Sequence, residues 1–179
     1  APSYKIMNDA TWPVIKEVWP EELTRAFHPS AMTLDLPNGS HVLFRTTDDP
    51  EMLVGPSLSW VWMDEAARSP LRAYEVMIAR LRQVGYPHQL WITTTPKGFN
   101  WVYQKFKKQV DPDFSFHTWK LEDNPFLSAD YIRNLRKQYP KQLARQELDA
   151  EVVDTSGATY FDYDGLPEAM EGCRPGVVA

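Results

Sequence analysis

The 179-residue chain is poor in cysteine: Cys173 stands alone, which excludes a disulfide framework and a cysteine-rich zinc site. Its four histidines, His28, His41, His88 and His117, offer no His-x3-His pair for a metal. No apolar run approaches the roughly 18–20 residues of a membrane span. The opening APSYKIMNDATW lacks the charged-then-apolar layout of a signal peptide. An initiator methionine is missing as well, so the sequence is expected to be an excerpt or a processed product. Excess positive charge is also absent: the net charge of −5 and the pI of about 5.4 argue against a generic nucleic-acid binder. What remains is a globular domain of a reducing compartment. With 43% hydrophobic residues and this length it can build one core, and it is not comfortably long enough for two.

The charge is unevenly distributed. Lys97 to Arg145 holds ten basic and five acidic residues, a net of +5, which leaves −10 on the rest. A basic half on an acidic protein fits either a polyanion partner or solvated helix faces.

Patterning predicts a mixed α/β order. Pro13 and Pro20 each suit a first helical turn, where a missing N–H costs nothing. Met32 to Leu36 and His41 to Arg45 flank Asn38-Gly39, a hairpin signal. Ser59 to Met63 is a short apolar run that reads as a strand covered on both faces, as in a parallel sheet, and Gln89 to Thr93 reads as a second short strand. Between them, Leu71 to Gln83 has helical spacing, with Tyr74, Met77, Ile78 and Leu81 on one side. Phe99 to Gln109 reads as a helix and Phe114 to Trp119 as a strand. Ser128 caps a helix to Tyr139, and Pro140 restarts one to about Asp149. Strand, helix, strand over 58–94 fits a βαβ crossover. Trp60, Trp62, Trp91 and Trp101 are expected in the core. Glycines then break the pattern, so 1–154 reads as a domain and 155–179 as a linker or the start of another unit.

The chemistry concentrates at two strand ends. Trp60-Val61-Trp62-Met63-Asp64-Glu65-Ala66 delivers two adjacent carboxylates at the end of an apolar strand. Ligands of open α/β sheets lie at the carboxyl ends of strands. There the first carboxylate can hold Mg²⁺ through its water shell, and the second can orient or deprotonate an attacking water. The same residues also suit an acidic helix cap. The second strand ends in Thr93-Thr94-Thr95-Pro96-Lys97-Gly98, whose hydroxyls can meet a γ-phosphate or simply cap a helix. The two tips belong on the same sheet edge. Asp162-Tyr163-Asp164-Gly165 matches the start of a calcium loop but lacks its later ligands.

These motifs, with Phe44-Arg45-Thr46-Thr47-Asp48-Asp49-Pro50-Glu51 upstream and Asn124-Pro125-Phe126 downstream, resemble the ATPase domain of the large terminase subunit of tailed bacteriophages. Ala1-Pro2-Ser3-Tyr4 and Trp12-Pro13 resemble the segment after that family's phosphate loop. Gln146-Glu147-Leu148 with Gly157-Ala158 resembles the junction with its nuclease domain. The resemblance covers about 1–165. It implies a P-loop NTPase-like (ASCE-type) fold, a mostly parallel sheet flanked by helices, incomplete at the N-terminus. It implies ATP and Mg²⁺ as cofactors, Asp64 at the metal, Glu65 as catalytic base, and Thr93, Thr94 and Thr95 at the nucleotide. Arg45 is a further catalytic candidate, facing phosphate, a neighbouring subunit, or Asp48 and Asp49. The implied partners are double-stranded DNA, a portal protein, a small terminase subunit and identical copies in a ring, in the host cytoplasm and away from membranes.

Two departures stand out. No Gly-x4-Gly-Lys-Ser/Thr occurs in the chain, so the phosphate loop is expected upstream of Ala1 and the chain alone is expected to be inactive. Val54 stands where many relatives carry an arginine that acts in trans, which leaves Arg45, Arg68 or Arg72 to substitute. The alternatives are a superfamily 2 helicase core, which also pairs Asp-Glu-Ala with a Ser/Thr-rich motif, and a non-catalytic interaction module.

Overall fold

The computed structural model describes residues 1–108 and 111–154. The 155–179 unit and its calcium-loop-like stretch lie outside the described residues.

The chain opens in a continuous run of right-handed helix. The Ser3 hydroxyl accepts from the Ile6 N–H at 3.3 Å and starts α1 (Tyr4–Ile6). A π turn (Met7–Thr11) follows, and α2 (Trp12–Val18) continues it. Pro13 therefore lies inside the run and does not open it. It supplies no N–H, and the ladder changes from π to α beside it, the Trp12 N–H reaching back to the Met7 carbonyl. Pro20 precedes a single 3₁₀ turn, Glu21–Leu23.

Three short strands, β1 (Ala26–His28), β2 (Thr33–Asp35) and β3 (His41–Leu43), form an antiparallel sheet in that order. The Asn-Gly hairpin joins β2 to β3 as expected, with Gly39 at φ +83° and Leu34 opposite Val42. β1 was not foreseen. Trp12 stacks on Phe27 at 4.4 Å between ring centres and meets Phe44 edge-on at 5.0 Å, which seats α2 against this sheet.

The second sheet is parallel. β4 (Trp60–Asp64) pairs with β5 (Gln89–Thr93) from Trp60↔Gln89 to Asp64↔Thr93, with α3 (Leu71–Arg80) between them in sequence. The described strands thus divide into three antiparallel and two parallel, so the expected mostly parallel sheet is present only as the β4–β5 pair. The core packs on one side of that pair: Val61 and Met63 meet Leu53, Ala66, Ala73, Tyr74, Val76, Met77 and Val102. Each large aliphatic or aromatic side chain there contributes about 1.5–3 kcal/mol on full burial. Tyr74 and Met77 hold the α3 face as expected, while Ile78 is exposed. Tyr74 packs on Trp101 at 5.2 Å and on Phe106 at 5.7 Å, which fixes the helical segment around Tyr103–Lys108 over α3.

Two expectations fail. The strands are covered on one face only: Trp60, Trp62 and Trp91 are 47%, 45% and 62% exposed, because α3 packs against the opposite face. Only Trp101 of the four joins the core margin. Residues 114–119 form no strand: they pair with none of the described strands, and an alternating run without a ladder partner stays irregular.

The C-terminal part follows expectation. Ser128 caps α4 (Ala129–Gln138) by accepting from the Tyr131 N–H, and α5 (Lys141–Glu147) starts after Pro140. Arg136 ties the two together by donating to Asp149 at 2.7 and 3.0 Å and to Glu122 at 3.0 Å. This contact holds the Asp149 carboxyl below the usual aspartate range.

Candidate functional site

The two polar strand tips meet. Asp64 and Thr93 are the last registered pair of β4 and β5, and the Thr93 hydroxyl donates to Asp64 Oδ1 at 3.0 Å. One residue further, Thr94 Oγ1 accepts from the Ala67 N–H at 3.0 Å and donates to the Thr95 carbonyl at 3.1 Å. Among the described residues, the Thr95 hydroxyl has no partner. Of the three threonines, then, Thr93 and Thr94 donate their protons inside the protein, and Thr95 donates to none of the described residues.

Glu65 sits at the sharpest point of the turn. Its backbone is left-handed at φ +49° and ψ +42°, a conformation that costs a non-glycine residue about 1 kcal/mol or more. The chain then winds into the 3₁₀ turn Ala66–Arg68, with Ala66 fully buried. The Glu65 carboxylate lies 3.6 Å from Arg68 Nε. Burial pushes its pKa up; Arg68 opposes this, Asp64 and Glu147 add to it, and a hydrogen bond from the Thr95 backbone lowers it again. A carboxylate with raised proton affinity beside a second carboxylate is suited to take a proton from water.

Two contacts escaped sequence reasoning. Thr11, at the end of the π turn, donates to Asp64 Oδ2 at 3.2 Å. Trp62 donates its indole N–H to Thr93 Oγ1 at 2.9 Å from the face of β4 that lacks α3. No motif marks Thr11, since a threonine before Trp-Pro reads as a helix start. The apolar character of Trp62 hid its polar role.

Arg45 is not brought to this cluster. Its Nη1 donates to the carbonyls of Phe44, Ala31 and Met32 at 2.7, 3.2 and 3.3 Å, which pins the base of the hairpin. Arg72 is held by Glu51 at 2.9 Å, and Val54 is exposed. Of the three arginines considered, Arg68 alone pairs with a residue of the cluster. The rest of the 44–51 stretch is hydrogen-bonded within the protein as well. Thr46 donates to Asp48, Asp49 accepts from the Glu51 N–H at 3.2 Å, and the buried Thr47 and Ser69 hydroxyls bond at 2.7 Å.

A cavity of about 800 Å³ lies between α2, the antiparallel sheet and β4. Thr11, Arg45, Trp62 and Asp64 line it, but Glu65 and Thr93 to Thr95 do not, so it adjoins the strand-tip site through Asp64. Among the described residues, no group of three His, Cys, Asp or Glu side chains assembles a metal cage. A divalent cation at Asp64 would find at most one or two carboxylates among the described residues, a donor set that suits Mg²⁺, which keeps several waters. The chemistry of the donor set fits that ion.

The family described as phage terminase large subunit matches residues 5–149. This chain belongs to that family. The terminase large subunit of Thermus phage G20c is 31% identical over 150 residues, covering 73% of this chain and 30% of its own length. The chain thus spans about a third of that curated relative. The large terminase ATPase domain of Thermus phage P74-26 superposes with a TM-score of 0.59 at 25% identity, over 85% of this chain and 74% of that domain. A large terminase from a thermophilic bacteriophage, in complex with ADP, superposes with a TM-score of 0.69 at 18% identity, over 83% of this chain and 38% of its own. That second likeness concerns the fold. The terminase resemblance read from the sequence holds, and the helicase alternative is not favoured. Among the described residues, no helix is long and apolar enough to cross a membrane.

Proposed function

We propose that this chain carries the hydrolytic centre of a phage DNA-packaging motor, a P-loop, ASCE-type ATPase that drives double-stranded DNA into a procapsid. The observation that supports this reading most is the convergence of Asp64, Glu65 and the Thr94–Thr95 loop at the ends of two adjacent parallel strands. Family membership supplies the context, as does the ADP complex of the thermophilic phage's large terminase.

In this reading Asp64 would hold Mg²⁺, which would supply charge neutralisation at the phosphates. Glu65 orients a water for in-line attack on the γ-phosphorus. It accepts the proton as the new P–O bond forms and the bond to the β-phosphate oxygen breaks, yielding ADP and inorganic phosphate. Thr95 offers its free hydroxyl to the γ-phosphate, and Thr94 carries the loss of that contact to the Ala66–Arg68 turn through Ala67. Arg45 we assign to holding the hairpin.

Three further proposals accompany this one. The chain alone hydrolyses ATP poorly, because it contains no Gly-x4-Gly-Lys-Ser/Thr cradle for the β- and γ-phosphates. The working form is a ring of identical copies on a portal protein, with a small terminase subunit and DNA. It works in the host cytoplasm.

The test is steady-state ATP turnover by the full-length protein. Glu65→Ala and Glu65→Gln are each expected to lower it roughly 10²–10⁴-fold. Turnover unchanged in both variants rejects Glu65 as the base and favours the reading of the carboxylates as a helix cap.

A further inference from the structure

We propose that Thr11, Thr93 and Trp62 are positioning residues that lock the Asp64 carboxylate in one orientation. The inference rests on the reading of Asp64 as the cation-organising carboxylate. It adds that the orientation is imposed from three separate parts of the chain.

The direction of each hydrogen bond follows from donor chemistry. An indole N–H can only donate, so the 2.9 Å contact between Trp62 Nε1 and Thr93 Oγ1 makes the hydroxyl oxygen the acceptor. Thr93 then has one proton left to give, and Asp64 Oδ1 lies 3.0 Å away. An ionised carboxylate can only accept, so Thr93 is the donor there. Asp64 Oδ2 in turn receives the Thr11 hydroxyl at 3.2 Å. Each carboxylate oxygen is thus fixed by one hydroxyl, and lone pairs remain on both for a cation or its waters.

Two features of the backbone make this possible. Trp62 and Asp64 alternate onto one face of β4, and Thr93 stands opposite Asp64 in register on β5, so three members share a face by strand geometry alone. Thr11 comes from 53 residues away in sequence. It ends the π turn, which inserts one extra residue before Pro13. Relative to an unbroken α-helix that insertion turns the following side chains by about 100°. Groups of this kind around a metal-binding carboxylate or imidazole typically account for about 10–100-fold in metal affinity or activity.

The experiment uses the full-length protein and reads the half-saturating Mg²⁺ concentration for ATP turnover. Mn²⁺ affinity in the presence of ADP, measured by electron paramagnetic resonance, serves as a readout without turnover. Thr11→Val is expected to raise both constants roughly tenfold, and Thr11→Ser to restore them. Trp62→Phe keeps an aromatic ring but removes the donor, and is expected to raise them about threefold. If Thr11→Val and Trp62→Phe lower thermal stability but leave both constants at the wild-type value, the contacts merely brace the fold and the inference is overturned. Failure of Thr11→Ser to restore the constants overturns it as well. Asp64→Asn separates the two layers. Cation dependence lost in Asp64→Asn but intact in Thr11→Val and Trp62→Phe sinks the positioning role alone. Cation dependence intact in Asp64→Asn sinks the reading of Asp64 with it.

Discussion

Two stretches carry the family resemblance, 44–51 and 60–66, and the fold uses them differently. In the first, the polar groups are turned toward protein. Arg45 caps hairpin carbonyls, Thr47 bonds Ser69, Asp49 starts a 3₁₀ turn, and Glu51 pairs with Arg72. In the second, the polar groups gather at a strand tip, where Asp64 keeps free lone pairs, Glu65 carries a raised pKa and the neighbouring Thr95 hydroxyl has no described partner. The two stretches therefore differ in how far their polar groups are already engaged within the protein. The hydrogen bonds each group has already made separate the two.

The sharpest break in that comparison is catalytic. Arg45→Ala should leave ATP turnover of the full-length protein within roughly threefold of wild type, against the much larger loss expected for the Glu65 variants. A fall as deep as that of Glu65→Ala would move Arg45 into the reaction and erase the distinction. Next in size is the contrast between the two faces of β4. Met63→Ala should cost about 2–5 kcal/mol in urea unfolding, as a buried truncation does. Trp60→Ala, on the exposed face, should cost about 1 kcal/mol or less. Equal costs would mean that the tryptophan face is covered in the folded protein.

Smaller effects follow from titration. The folded-state pKa of Glu65 lies above its unfolded value, so between the two the folded protein binds more protons and stability falls as pH rises. Glu65→Gln should therefore raise the melting temperature at pH 7–8. The gain should shrink as pH drops toward the ordinary glutamate value of about 4.3. Asp35 has the opposite sign. His41 at 2.6 Å and His28 at 3.1 Å hold its carboxyl below the usual range, so its contribution is present above about pH 3.9 and is lost as pH falls through the folded value. Asp35→Asn should thus lower the melting temperature slightly at pH 6, and the difference should shrink in stronger acid.

Much of this was legible from sequence. The hairpin, β4, β5 and α3 to α5 announced themselves through local signals: Asn-Gly, apolar runs, Ser128 as a cap and Pro140 as a restart. The juxtaposition of Asp64 with Thr93 followed from parallel pairing. What stayed hidden was non-local. Phe114 to Trp119 alternates like a strand but pairs with none of the described strands. The outer face of β4 and β5 is apolar in sequence yet uncovered, because periodicity does not report which layers pack. Thr11 reaches Asp64 only through a π turn, which no residue pattern announces. Arg45 reads as a catalytic candidate because a cation after an apolar strand invites phosphate, and its hydrogen bonds to three nearby carbonyls are a non-local feature that the sequence does not announce.

The most direct test of the strand-tip assignment is a structure of the full-length protein with Mg²⁺ and a non-hydrolysable ATP analogue. The account predicts the γ-phosphate against Glu65 and Thr95, with the ion at Asp64. Nucleotide lodged instead in the cavity between α2, the antiparallel sheet and β4, away from Glu65, would contradict it.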